Sequence, residues 1–232
     1  MSFVESNLPC DDCGSSDARA IDDGGWSTCF GCGSKRPPND REGRVVPMRA
    51  EKSHTGAYNA SEGIIYRALT NRKINLRTAE VYGVGFKGDD LVFPFGNNIA
   101  AKVRVKGKKE FRIDGDWKGA STLFGQERFS SGQKMVMVVE GEIDALSAHQ
   151  MMGYKTPVVS VRNGAQSALK DCKTNYDFLD SFDDVLFCFD NDFAGLEAQA
   201  KCAELFSHKA KCMKHANGMK DANDYLQENR TS

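Results

Sequence analysis

Two apolar runs in this chain each end in carboxylates. The first is Met137-Val138-Val139-Glu140-Gly141-Glu142-Ile143-Asp144, and the second, about fifty residues on, is Leu186-Phe187-Cys188-Phe189-Asp190-Asn191-Asp192. Short apolar runs bounded by turn residues and followed by a helical pattern read as buried strands of a parallel sheet. Ligands of such sheets gather at the carboxyl ends of the strands, so Glu140, Asp190 and Asp192 are expected to meet at one edge. Three carboxylates that close cannot all stay ionised without a compensating cation. Oxygen ligands with open water positions suit Mg²⁺, and Mg²⁺ held by few protein groups is the arrangement that handles phosphates.

A second set of residues carries different chemistry. Cys10-Asp11-Asp12-Cys13 and Cys29-Phe30-Gly31-Cys32 stand fifteen residues apart, the C-x₂-C-x₁₅-C-x₂-C spacing of a four-thiolate zinc site. Four thiolates fill the tetrahedron, so Zn²⁺ there is structural; the alternative is a pair of disulfides or redox thiols. The forty or so residues around them, rich in Asp, Gly and Ser, have little core without the metal. Trp26 in this segment either stacks on an unpaired base or covers the small core. Cys172, Cys188, Cys202 and Cys212 are scattered and read as packing residues in a reducing compartment.

Composition sets outer bounds. The chain has 232 residues and a formal net charge of −1, which by itself points to no class of partner. Charge is uneven, however: Lys102 to Lys118 holds seven Lys or Arg (102, 104, 106, 108, 109, 112, 118) against three acids (110, 114, 116). That excess marks either an anion-binding surface or a solvated face. No apolar stretch approaches the roughly twenty residues of a membrane span, and Met1 to Ser6 has no basic segment with an apolar core, so a soluble, cytoplasmic protein is expected. The chain has no Gly-x-x-x-x-Gly-Lys-Ser/Thr phosphate loop.

The elements that must position these groups follow in order. Residues 1–35 form the zinc-binding ribbon, and 36–52, with Pro37, Pro38 and Pro47, a linker. Residues 53–130 are a basic α+β subdomain. Its first helix is expected from Ser61, with Ile64, Ile65, Ala68 and Leu69 on one face, and its second over Leu76 to Tyr82, starting near Thr78. Strands Leu91–Phe95 and Ile99–Val105 flank a Gly96-Asn97-Asn98 turn. Alternation puts Lys102 and Arg104 on one side, free for phosphate, and Ala101, Val103 and Val105 on the other.

Residues 131–232 alternate strand and helix: strands at Met135–Val139, Pro157–Val161 and Val185–Phe189, and helices at Glu142–Met151, Ser167–Lys173 and Phe193–Phe206. Leu196, Ala200, Ala203 and Leu205 lie near one face of the last. The alternation predicts a mostly parallel α/β sheet with right-handed crossovers. Glu140, Asp190 and Asp192 then precede helices, near their positive ends, and Asp144 points back towards Glu140. Asp221 either joins the acidic cluster or caps a last short helix.

On Glu140-Gly141 and Asp190-x-Asp192 the chain resembles the TOPRIM domain of primases, topoisomerases and some nucleases. Glu-Gly-Glu-Ile-Asp (Glu140 to Asp144), Phe-Asp-x-Asp-x-Ala-Gly (Phe189 to Gly195), Lys-Asp-Ala-Asn (Lys220 to Asn223) and Cys-Gly-Ser-Ser-Asp (Cys13 to Asp17) are similar to the primase half of short-tailed phage primase-helicases. Taken singly, a Glu-Gly or an Asp-x-Asp is a turn or a cap; at matched strand ends and with the family pattern they point to metal.

The resemblance implies a bacteriophage DNA primase that makes RNA primers from ribonucleoside triphosphates on single-stranded DNA, with a replicative helicase fused or separate. It implies a TOPRIM-type fold in which Glu140, Asp190, Asp192 and Asp221 hold one or two Mg²⁺, with Asp144 in support; Glu140 is either a ligand or the proton acceptor. Lys102, Arg104, Lys109, Arg112 and Lys118 become contacts to nucleotide and template phosphates. The ribbon becomes the reader of the template, with Trp26 standing where a relative has histidine. A TOPRIM nuclease, or a catalytically silent nucleic-acid-binding module that loads a helicase, are the alternatives.

Overall fold

The N-terminal segment has few apolar side chains, and the element it builds is correspondingly thin. A computed structural model describes residues 3–10, 15–36, 58–108, 110–216 and 218–228. They fall into two compact units, one built on residues 1–54 and one on residues 55–203 with 209–232. In the first, β1 (Phe3–Leu8), β2 (Arg19–Asp22), β3 (Ser27–Cys29) and β4 (Lys35–Arg36) form an antiparallel sheet in sequence order. The β2–β3 turn is held by Asp22, whose Oδ1 accepts from the Gly24 and Trp26 amides at 3.0 and 2.9 Å. Trp26 is only 9% exposed and packs into the ribbon, which agrees with the second of its two readings, a residue that covers the small core. With Cys10, Ala20 and Cys29 it makes up much of the buried apolar material of this unit. The linker at 36–52 lies, apart from Arg36, outside the described residues.

The second unit opens with a correction. Residues 61–69 form no helix: Gly63 adopts φ +70°, and Ile65 pairs with Phe86 through backbone bonds of 2.9 and 3.0 Å in each direction. The chain therefore runs as an extra edge beside the next sheet, with Ile65 65% exposed. Helix α1 (Leu76–Tyr82) forms where expected, because Asn75 accepts from the Thr78 amide at 2.9 Å as its N-cap. Strands β5 (Gly85–Lys87), β6 (Asp90–Phe95), β7 (Ala100–Arg104) and β8 (Phe111–Gly115) then make an antiparallel sheet in sequence order. Gly96, Asn97 and Asn98 all have positive φ, the conformation that lets so short a turn join β6 to β7.

The parallel sheet follows, in the order β10 (Val158–Ser160), β9 (Met135–Val139), β11 (Asp184–Cys188), β12 (Ala210–Cys212). Val139 is level with Ser160 on one side and Cys188 on the other, so these strands end together. The central strand β9 is buried on both faces from Val136 to Val139, which is why it reads as an unbroken apolar run, while the edge strand β12 is largely exposed. Helices α2 (Glu142–Met151), α3 (Ala165–Thr174), α4 (Tyr176–Asp180), α5 (Phe193–Ala203) and α6 (Ala222–Gln227) complete the unit.

Helix α5 stops at Ala203 and continues as a 3₁₀ turn, and its buried residues are Gly195, Gln199 and Cys202, while Ala200 is exposed. A polar residue takes the inner position because it satisfies backbone: Gln199 accepts from the Phe189 amide at 2.9 Å and donates to the Met213 carbonyl at 3.3 Å. Gly195 is required beside it, since a Cβ there would stand 2.4 Å from the Asp190 carbonyl oxygen.

One core joins the two sheets of this unit. Tyr82, Phe93, Phe95 and Phe124 from the antiparallel part cluster with Val139, Leu146 and Val158 from the parallel part. Tyr82 is the pivot: its ring stacks on Phe124 at 5.4 Å, and its hydroxyl donates to the Val158 carbonyl at 2.7 Å. Burial raises its phenol pKa well above the ordinary value, so it stays a donor. Tyr82→Phe is expected to lower unfolding free energy by about 1–3 kcal/mol through the orphaned carbonyl, read by urea denaturation; an unchanged midpoint would remove Tyr82 from this role.

Candidate active site

Because β9 and β11 end level, Glu140 and Asp190 leave the sheet side by side. With Asp144 they line a cavity of about 520 Å³. Glu140 Oε1 accepts from the Ala165 amide at 3.2 Å, while Oε2 is buried without a hydrogen-bond partner. Burial, and then the charge of Asp190, raise its pKa. Asp144 is pushed up to about 8 by burial and by the charges of Asp221, Asp190 and Glu140. An orphaned carboxylate oxygen beside an acid whose pKa is raised by burial and by neighbouring carboxylates is the environment a hard cation relieves, so these residues fit Mg²⁺.

The neighbouring acids are tied to helix ends. Asp190 is paired with Lys220 at 2.8 Å. Asp192 is exposed and its Oδ1 accepts from the Gly195 amide at 2.9 Å, while its charge contributes to raising Glu140. Asp221 is the N-cap of α6, accepting from the Asp224 amide at 3.0 Å. It is also the foremost charge acting on Asp144, so the cap stands beside the cluster. Asn223 ties α6 down: its amide donates to Asp144 Oδ1 at 3.2 Å and its side chain to Ser147 Oγ at 2.9 Å and the Arg72 carbonyl at 3.0 Å.

The basic residues separate into groups. Lys102 is not on a free face; it is 8% exposed, lines the cavity, and its Nζ donates to Glu142 Oε1 at 2.6 Å. Alternation gave its side of β7 correctly but could not show that the cavity wall covers that side. Arg104 remains exposed on the same face and lines a second cavity of about 310 Å³ with Arg72, Lys106 and Lys108. Arg112 is turned to the opposite face, level with Val103, and is bound by Asp114 at 2.7 Å and Asp90 at 3.7 Å. Lys118 is exposed in the turn after β8, outside the lining of both cavities. Lys109 lies outside the described residues. Sequence reasoning passed over Glu142, Lys220 and Arg72. Glu142 and Lys220 stood inside quoted motifs, where a second acid and a lone cation were available signals; Arg72 carried none.

In the ribbon, the sulfurs of Cys10, Cys29 and Cys32 lie within 4.8 Å of one another, Cys10 and Cys32 at 3.9 Å. A tetrahedral site with Zn–S bonds of about 2.3 Å has S···S edges of about 3.8 Å, so the donor set and spacing fit zinc. Cys13 lies outside the described residues. Arg19, also passed over in the sequence, is buried here and donates to Cys10 Sγ at 3.1 Å and Ser27 Oγ at 2.8 Å, placing a positive charge beside the thiols.

Residues 137–226 match the Toprim-like family. The chain is 33% identical over 217 residues to the DNA helicase/primase of Enterobacteria phage T3, an alignment covering 86% of this chain and 37% of that protein. The chain thus spans little more than a third of that relative's length. The primase fragment of the bacteriophage T7 primase-helicase has the same fold at a TM-score of 0.65 and 30% identity, over 99% of this chain and 96% of that one. In a second T7 structure, primase domains of two gp4 subunits are bound to an RNA/DNA hybrid and dTTP and interact with the lagging-strand DNA polymerase. It matches at 0.63 and 31%, over 75% of this chain and 93% of that one. The DnaG catalytic core shares the fold at 0.51 with 14% identity, over 69% of this chain and 66% of that one. With its level strand ends, clustered carboxylates and gathered cysteines, the chain belongs to the primase family of the T7- and T3-type phage primase-helicases.

Proposed function

We propose that this chain makes short RNA primers from ribonucleoside triphosphates on single-stranded DNA. The observation that carries the reading is the meeting of Glu140, Asp144 and Asp190 around one cavity, with a buried carboxylate oxygen left without a partner. Glu140, Asp190 and Asp192, with Asp221 at the margin, would hold Mg²⁺, which would supply positive charge to offset that of the triphosphate and of the pyrophosphate released. The chain's own groups do the positioning. Lys220 fixes Asp190, the Gly195 amide fixes Asp192, and Lys102, held by Glu142, presents its ammonium group at the cavity wall. We assign the path of the nucleic-acid backbone to the cavity lined by Arg72, Arg104, Lys106 and Lys108. Arg112, already compensated by Asp90 and Asp114, is assigned no phosphate.

Cys10, Cys13, Cys29 and Cys32 are taken as ligands of one structural Zn²⁺, with Arg19 steadying the thiolates, and the ribbon as the reader of the template. Trp26 then acts through the ribbon's core. By analogy with the T3 helicase/primase and the T7 primase domains on RNA/DNA hybrid and dTTP, a replicative helicase is the proposed partner. Among the described residues no helix is long and apolar enough to cross a membrane, and the host cytoplasm is the proposed place of action.

Three outcomes are expected. On single-stranded templates covering all initiation triplets, wild-type protein makes Mg²⁺-dependent short RNA, and Asp190→Asn reduces it on the order of 100- to 1,000-fold. Cut templates would favour a nuclease instead, and DNA binding without product a silent module. Cys29→Ser should lose about one zinc per chain by metal analysis and lose template selection; retention of both would overturn the ribbon assignment.

The third outcome concerns pH. Asp144 has a folded pKa of about 8, above its ordinary 3.8, so the unfolded chain releases this proton first and stability falls as pH rises towards 8. His149, whose pKa is lowered by burial, costs stability only as pH falls below 6.5. In a chelator, therefore, stability should decline between pH 6.5 and 8, and the rise in melting temperature given by Mg²⁺ should grow over that window. A decline that survives Asp144→Asn, or a Mg²⁺ effect that does not vary with pH, would count against the assignment.

A further inference from the structure

The carboxylate cavity has two kinds of wall. Facing it beside the acids are Phe111 and Ile113, large apolar side chains that remain 38% and 41% exposed. They stand two residues apart on β8, the edge strand of its sheet, and so share one face. Directly across on β7 their partners are Arg104 and Lys102. The Phe111 ring has the Arg104 guanidinium 4.7 Å and the Lys102 ammonium 5.4 Å from its centroid. Scattered exposed apolar residues need no explanation. Two on one face of an edge strand, lining the same cavity as the carboxylates, do. A purely anionic ligand gains nothing from such a wall. One that is anionic at one end and flat and apolar at the other uses both, and the cavity is within the roughly 300–1,000 Å³ range of small-molecule sites.

We propose that Phe111 and Ile113 form a base-binding wall, on which the nucleobase of a nucleoside triphosphate stacks while its phosphates lie towards Lys102 and the carboxylates. The inference rests on the primase reading and deepens it. Every base has an aromatic face, so the wall holds all four nucleotides alike and positions the substrate without choosing the sequence.

The test compares wild type, Phe111→Ala, Phe111→Trp and Ile113→Thr, each checked for an intact fold by thermal melting. Mg²⁺-nucleoside triphosphates and Mg²⁺-tripolyphosphate, which has no base, are titrated calorimetrically, and KM and kcat are measured in primer elongation. Phe111→Ala should weaken all four nucleotides about 5- to 140-fold, mainly in KM, leave tripolyphosphate binding unchanged, and be restored by Phe111→Trp. Ile113→Thr should act in the same direction and more weakly, and serves as the test if Phe111→Ala does not fold. Unchanged nucleotide binding would overturn the proposal. So would equal weakening of nucleotide and tripolyphosphate, which would mean that Phe111 acts only through Lys102 and Arg104. The titrations need no turnover: a wild type that makes no primer defeats the primase reading, while the nucleotide-to-tripolyphosphate comparison still decides the wall.

Discussion

Carboxylates repel one another, and this unit forces them together by a backbone register. Val139 and Cys188 are level neighbours in a parallel ladder, so the acids that follow each strand cannot separate without breaking it. Burial first, and then the charges of the neighbouring acids, raise the pKa values of Glu140 and Asp144. The surroundings hold the acids by fixed contacts: Ala165 on Glu140, Lys220 on Asp190, Gly195 on Asp192, Asn223 on Asp144. Each lies at or next to the start of a helix or, for Lys220, in the turn leading to one, so the helices that cover the sheet also hold the acids in place. A site assembled this way is under electrostatic load before any ion arrives, and the load is what gives a divalent cation its purchase.

The ribbon solves a related problem with softer chemistry. Its sulfurs converge where there is too little apolar material to fold the segment by burial, and a buried arginine donates to one of them. The two units thus show opposite uses of charge: anionic oxygens crowded at the end of a well-packed sheet, and sulfurs that replace a core.

Much of this was legible from the sequence. The limits of β9 and α2 were read without error, because an unbroken apolar run stops at Glu140-Gly141 and a helical pattern starts at once. The cysteine spacing carried its chemistry just as openly. What escaped depended on partners distant in sequence. Residues 61–69 carry helical periodicity, but Phe86 offers a strand edge and Gly63 takes the turn. Lys102 belongs to the face that alternation gave it, yet its role is set by Glu142, forty residues on. Strand β8 was hidden by its own charges, since Arg112 and Asp114 on one face made Phe111 and Ile113 read as part of a basic segment.

Helix α6 lies at the far end of the described chain, and Asn223 in its first turn bonds at once to Asp144, Ser147 and the Arg72 carbonyl. Lys220, just before it, holds Asp190. The carboxylates and the basic cavity are therefore both fastened to a single short lever, one helical turn from its handle. Displacing this one helix would therefore loosen the contacts on Asp144, Asp190 and the Arg72 carbonyl in the same movement.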